Sequence, residues 1–148
     1  MIYDGTVTYE TVVCELFARM PDLESIYRAQ FDSMAGKELP YVVFGSFLIP
    51  QIETALESQD VKRVKSICAY LEEVASSANT DSGLETLIRV EIGEWLSGTR
   101  WDAEVEPYLG EKTKRRCRYV SGLETQRNSL KTEKASRNVI TRLLDRFK

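Results

Sequence analysis

Pro40-Tyr41-Val42-Val43-Phe44-Gly45-Ser46-Phe47-Leu48-Ile49-Pro50-Gln51-Ile52-Glu53-Thr54-Ala55-Leu56-Glu57 is the stretch on which the fold turns. Its apolar side chains leave almost no face for water. A helix that is apolar nearly all round belongs at the centre of a domain. Pro40 suits the first helical turn, where a missing N–H costs nothing. Pro50 cannot donate to the carbonyl of Ser46, so a kink is expected there. Gly45 is expected to let two helices approach closely. A β-strand over residues 41–47 is the competing reading, because those residues are β-branched and aromatic.

Outward from this segment, almost everything repeats with a helical period. On the N-terminal side, Tyr9, Val12, Val13, Leu16, Phe17 and Met20 recur at i, i+3, i+4 spacing, with Thr8 as the expected cap and Pro21 as the stop. Leu23, Ile26, Tyr27, Gln30, Phe31 and Met34 form the next stripe. Asp22 and Glu24 stand in its first turn, where the helix dipole favours acids, and Gly36 is the expected stop. On the C-terminal side, Asp60 is the expected cap of a helix whose stripe is Val61, Val64, Ile67, Cys68, Leu71, Val74, Ala75 and Ala78. The polar turn Asn79-Thr80-Asp81-Ser82-Gly83 leads to a further helix with Leu84, Leu87, Ile88, Ile92, Trp95 and Leu96 inward. Ser97-Gly98-Thr99 ends it, and a short turn over residues 105–109 closes at Gly110.

The last part differs. Lys112 to Tyr119 is basic and expected to be helical. Residues 121–136 are polar, and then Val139, Ile140, Leu143, Leu144 and Phe147 reappear at helical spacing. The pattern predicts an all-α fold, a compact bundle of about six to seven antiparallel helices, with solenoid-like helix pairs as a variant. A helical domain over residues 1–119 and a basic helical extension over residues 120–148 are expected. The terminal stripe needs a cover, either the body or a second copy of the chain in a homodimer.

The chain has 148 residues, enough for one domain with a real core. No apolar stretch is long enough to span a membrane. The first residues lack the basic and apolar regions of a signal peptide, so a cytoplasmic location is expected. Net charge is −3, and that mean conceals a division. Residues 1–110 carry 19 acidic and 8 basic side chains, whereas residues 111–148 carry 4 acidic and 12 basic ones. An acidic body with a basic end is the clearest signal outside the periodicity.

Histidine is absent, which removes Ser-His-Asp and Cys-His nucleophile systems and His-bearing zinc and di-iron sites. Cys14 and Cys68 lie among apolar neighbours and are expected in the core. Cys117 lies among arginines, which would lower a thiol pKa. No Gly-rich phosphate loop and no nucleophile elbow occur. Carboxylates remain. Glu91 and Glu94 share a helical face, Glu72 and Glu73 diverge, and Asp102, Glu104 and Glu106 follow Trp101. Solvated acids on helix faces account for these better than a Mg²⁺ or Ca²⁺ site, so no metal, cofactor or catalytic residue is expected. Trp95 fits the core. Trp101 is either an interface anchor or a cover over a helix end.

Lys112-Thr113-Lys114-Arg115-Arg116-Cys117-Arg118-Tyr119 has three readings. It folds back on the acidic body, it docks on a partner, or it grips nucleic-acid phosphates with Tyr119 stacking on a base. The acidic body makes nucleic acid the least favoured.

Leu39-Pro40-Tyr41-Val42-Val43-Phe44-Gly45-Ser46-Phe47, with Leu71-Glu72-Glu73-Val74-Ala75 and Tyr108-Leu109-Gly110-Glu111-Lys112-Thr113, resembles the pattern of a small bacterial all-α family of unassigned function. The resemblance covers roughly residues 10–117. Such proteins look like immunity proteins of polymorphic toxin systems. The resemblance implies a non-catalytic partner of another protein, a cognate toxin, and transfers no site residue. The charge division points the same way, because an acidic face is steered toward a basic cleft. Glu91, Glu94, Asp102, Glu104 and Glu106, with Trp101 as apolar anchor, are the expected partner-binding residues. An adaptor that dimerises through its C-terminal helix is the alternative.

Overall fold

The computed structural model describes residues 6–31 and 39–119. Among them every regular element is helical: α1 (Val12–Arg19), α2 (Pro21–Gln30), α3 (residues 40–57), α4 (Val61–Ser77), α5 (residues 82–98), a short α6 (Asp102–Val105) and α7 (Glu111–Cys117). The all-α expectation holds, and residues 41–47 are helix rather than strand. Gly36, Met34 and the stripe at Val139, Ile140, Leu143, Leu144 and Phe147 lie outside the described residues, as does the extension over residues 120–148.

α3 departs from a simple kink, and it is not apolar all round in the fold, since Ser46, Pro50, Thr54 and Glu57 are exposed. Within α3, Phe44–Leu48 forms a π-helical turn, in which the Ile49 N–H donates to the Phe44 carbonyl five residues back. Pro50 follows at once and has no N–H to offer Ser46. A wider turn just before it lets the helix continue through the missing bond instead of breaking. Phe44, Phe47 and Leu48 of this turn are fully buried. Phe47 receives the ring of Tyr27 edge-on, with centroids 5.2 Å apart, and Phe17 and Phe31 complete the cluster. α5 contains a second π-helical stretch, Ile88–Gly93.

The helix ends follow local chemistry. Asp60 caps α4 by accepting from the Arg63 N–H at 3.1 Å, as expected. Asp81 caps α5 through Gly83 and Leu84, and its other oxygen accepts from the Tyr9 N–H at 2.9 Å, tying the N-terminal segment to α5. Thr8 does not cap α1. It pairs with Thr11 in a reciprocal turn, and the helix starts three residues later than its first apolar residue implied. Pro21 both stops α1 and occupies the first turn of α2.

Several expectations change. Cys14 is exposed, because α1 buries Val12, Val13, Leu16 and Phe17 and position 14 turns away from them. Val61 is 43% exposed, since it begins α4 beyond the reach of the core. Cys117 is half-buried. Its thiol lies 3.7 Å from the Ile88 carbonyl, and burial pushes its pKa up to about 12, overriding the nearby arginines. Cys68 is buried as expected, with its thiol also raised to about 12. The close backbone approach occurs at Gly93, where a Cβ would stand 3.6 Å from the Cys117 Cα, and not at Gly45.

α7 folds back across α4 and α5. Its N-terminus is capped from outside: the Lys112 N–H donates to Glu72 Oε1 at 2.7 Å. Gly110 leaves room for it: a Cβ there would fall on the Glu72 carboxylate and push it out of the cap. Thr113 is wholly buried on the inner face of α7, and its hydroxyl has no hydrogen-bond partner among the described residues.

Replacing Phe47 with alanine should remove about 3–5 kcal/mol of stability, read from the urea midpoint at unchanged slope. Thr113→Val should raise stability by about 1 kcal/mol, because it keeps the shape and deletes a buried hydroxyl without a partner.

Candidate functional site

The expected partner-binding residues fall into two neighbourhoods. The first is built where α3 and α5 cross. Gly45 lies in the π-helical turn of α3, and the Glu91 carboxylate of α5 packs against it: a Cβ at Gly45 would stand 2.8 Å from Glu91 Oε2. So the glycine makes room for a carboxylate rather than for a second helix backbone. Glu91 is half-buried, and its pKa is raised by burial first and by Glu94 second. Tyr41 stands near it. Burial raises that phenol, Tyr9 and Glu91 add to the rise, and Arg89 opposes it. The Tyr9 and Tyr41 rings tilt together with centroids 6.3 Å apart. Glu94, one turn on, is exposed and makes no ion pair among the described residues.

The second neighbourhood is α6 with its 3₁₀ continuation, Glu106–Tyr108. Asp102 is buried at 4% exposure, so its carboxylate is not part of the outer face. Trp101 is half-buried, and the Arg100 guanidinium lies 4.5 Å from its ring centroid. The tryptophan therefore carries its own cation. The Tyr119 hydroxyl lies 3.4 Å from both the Asp102 carbonyl and Glu106 Oε2, which brings the end of the basic run onto this helix. Glu104 is exposed. It stands at the rim of a groove of about 350 Å³ whose other walls are Ala55, Leu56, Gln59, Val61, Val64 and Tyr108.

That groove was not foreseen. Leu56 and Val61 belong to stripes expected to point inward, and Gln59 turns the chain between them with a φ of 58°. A Val at the first position of a helix, next to a left-handed turn, was the available signal. Of the six expected residues, Glu94 and Glu104 thus present exposed carboxylates, Glu91 and Glu106 are half-buried, Trp101 is partly covered and Asp102 is inside.

The basic run is engaged with the body. Lys112 Nζ donates to Ser76 Oγ at 3.0 Å, and Arg116 donates to Asn79 Oδ1 at 2.6 Å and stands 3.9 Å from Glu85. Elsewhere, Arg19 pairs with Glu73 and Arg63 with Asp22. No group of three His, Cys, Asp or Glu residues among the described residues is arranged to hold a metal ion. No described helix is long and apolar enough to cross a membrane.

The family described as a domain of unknown function (DUF7674) matches residues 13–125, and the chain belongs to it. No curated protein and no solved structure matches the chain.

The raised Glu91 pKa carries a signed consequence. At low pH the side chain is protonated in both the folded and unfolded states. As pH rises, the unfolded chain ionises first and the folded one later, so the folded state loses stability between the two pKa values. Glu91→Gln should therefore gain stability relative to the parent as pH climbs through and just above the ordinary carboxylate range. Paired urea titrations at several pH values read the difference, and a difference that stays flat or falls over that range contradicts it.

Proposed function

We propose that this member of the DUF7674 family is a non-catalytic protein-binding protein of the immunity type, which occludes a basic toxin through an acidic helical face. The observation that carries the reading is the groove beside Glu104. It joins an apolar floor, with Val61 43% exposed, to a rim carboxylate that makes no ion pair among the described residues. Apolar centres with charged rims are how protein interfaces are built.

The distribution of charge supports it. Lys112 and Arg116 of the basic run are held against α4 and its extension, and so are drawn away from the outer acids. Glu53, Glu57, Glu94 and Glu104 make no ion pair among the described residues. Carboxylates left without internal partners add to the attraction of a cationic surface and raise the rate of encounter. The resemblance of the central Leu-Pro segment to immunity-associated proteins points to the same class.

The test is co-expression with the adjacent reading frame. The neighbour should be toxic alone and harmless beside this protein. A neighbour that is harmless alone, or that stays toxic in its presence, removes the reading. With the pair in hand, the double reversal Glu94→Lys with Glu104→Lys should weaken the complex by roughly ten-fold or more at low salt, with the effect shrinking as ionic strength rises. Titration calorimetry at two salt concentrations measures it.

A further inference from the structure

α7 and α4 enclose a small polar pocket lined by Ala75, Ser76, Asn79, Lys112, Arg115 and Arg116, with a volume of about 90 Å³. Three of the six lining residues are cations and none is an acid. They stand at i, i+3 and i+4 on α7, so they share one face, and that face is turned toward Ser76 and Asn79 of the neighbouring helix and its 3₁₀ extension.

How these cations are held matters more than their number. Lys112 is positioned by a hydroxyl, Ser76 Oγ at 3.0 Å, and Arg116 by an amide oxygen, Asn79 Oδ1 at 2.6 Å. Neutral partners orient a charge without cancelling it. Glu72 caps the α7 backbone at the Lys112 N–H through Oε1, and Arg116 also pairs with Glu85 at 3.9 Å, from one of its several donors. Arg115 makes no ion pair among the described residues. An ammonium has three donors and a guanidinium five, so several remain unused at the pocket.

We infer that this pocket is a binding site for a terminal phosphate group, held by Lys112, Arg115 and Arg116 with Ser76 and Asn79 as neutral supports. Three prepositioned cations with one acidic partner among them, on a small concave surface, supply what recognition of a multiply charged oxyanion requires. The small, walled volume suits a phosphate that ends a molecule. An in-chain phosphodiester needs an exit at both ends, so nucleic acid is not the ligand. The site stands apart from the acidic face and does not depend on the immunity reading.

The full chain is titrated with inorganic phosphate and with O-phosphoserine, against chloride of matched ionic strength, and thermal stability and calorimetric binding are followed. Both phosphates should bind saturably and raise the melting temperature. Arg115→Gln, which breaks no ion pair or side-chain hydrogen bond among the described residues, should weaken binding by roughly ten-fold, the loss of one charge-assisted hydrogen bond. Ser76→Glu, on an exposed helix position, should place a carboxylate in the pocket and abolish the phosphate effect while the variant stays folded. No binding by the parent overturns the proposal, as does binding by both variants that equals the parent's. So does a single-stranded oligonucleotide with no terminal phosphate that binds more tightly than either phosphate and loses that affinity in Arg115→Gln.

Discussion

Pro50 has no N–H to give, and the centre of the molecule is arranged around that missing hydrogen bond. α3 buries one face, through Val43, Phe44, Phe47, Leu48, Ile49 and Ile52, while Ser46 and Pro50 lie on its exposed side, so the helix must run unbroken for that face to stay packed. It widens into a π-helical turn over Phe44–Leu48 and continues. The widened turn sets Phe44 and Phe47 into the aromatic core and leaves Gly45 facing α5. There the Glu91 carboxylate comes to rest, itself on a π-helical stretch. A change in the geometry of α3 at Pro50 would reach the core and the acidic face together.

The charge division in the sequence becomes a spatial division in the fold. α7 carries its cations onto α4 and α5, fixed by a carboxylate from another helix at its N-terminus and by Gly110, which admits that carboxylate. This docking has a cost in Thr113, whose hydroxyl is buried without a partner among the described residues. It also has a result: a cationic pocket on one side, while Glu94 and Glu104 stay exposed elsewhere. Asp102 and Glu106 follow the same logic, with Tyr119 at the end of the basic run reaching across to α6.

Much of the candidate site was visible as residue types and little of it as geometry. Glu91 and Glu94 were legible as a pair because helical spacing fixes their shared face. Nothing local distinguished exposed Glu104 from buried Asp102, two residues apart in an acidic stretch, since their burial depends on how α6 lies against the rest. The groove of Leu56, Val61 and Tyr108 joins three elements and has no signature in any one of them. Cys14 shows the same limit: a thiol among apolar neighbours in sequence lies outside the face that α1 buries.

The sequence by itself determined that the chain is helical, where most helices begin and end, and that its charges are divided. These follow from periodicity, caps and prolines, whose effects act within a few residues. Only the tertiary structure decided that Pro50 is absorbed by a π-helical turn, that Gly45 receives a carboxylate, and that the basic helix is capped by Glu72. Which acids stay on the surface was settled there as well. Each of these depends on a contact between residues distant along the chain, and such contacts are set by packing the whole core at once.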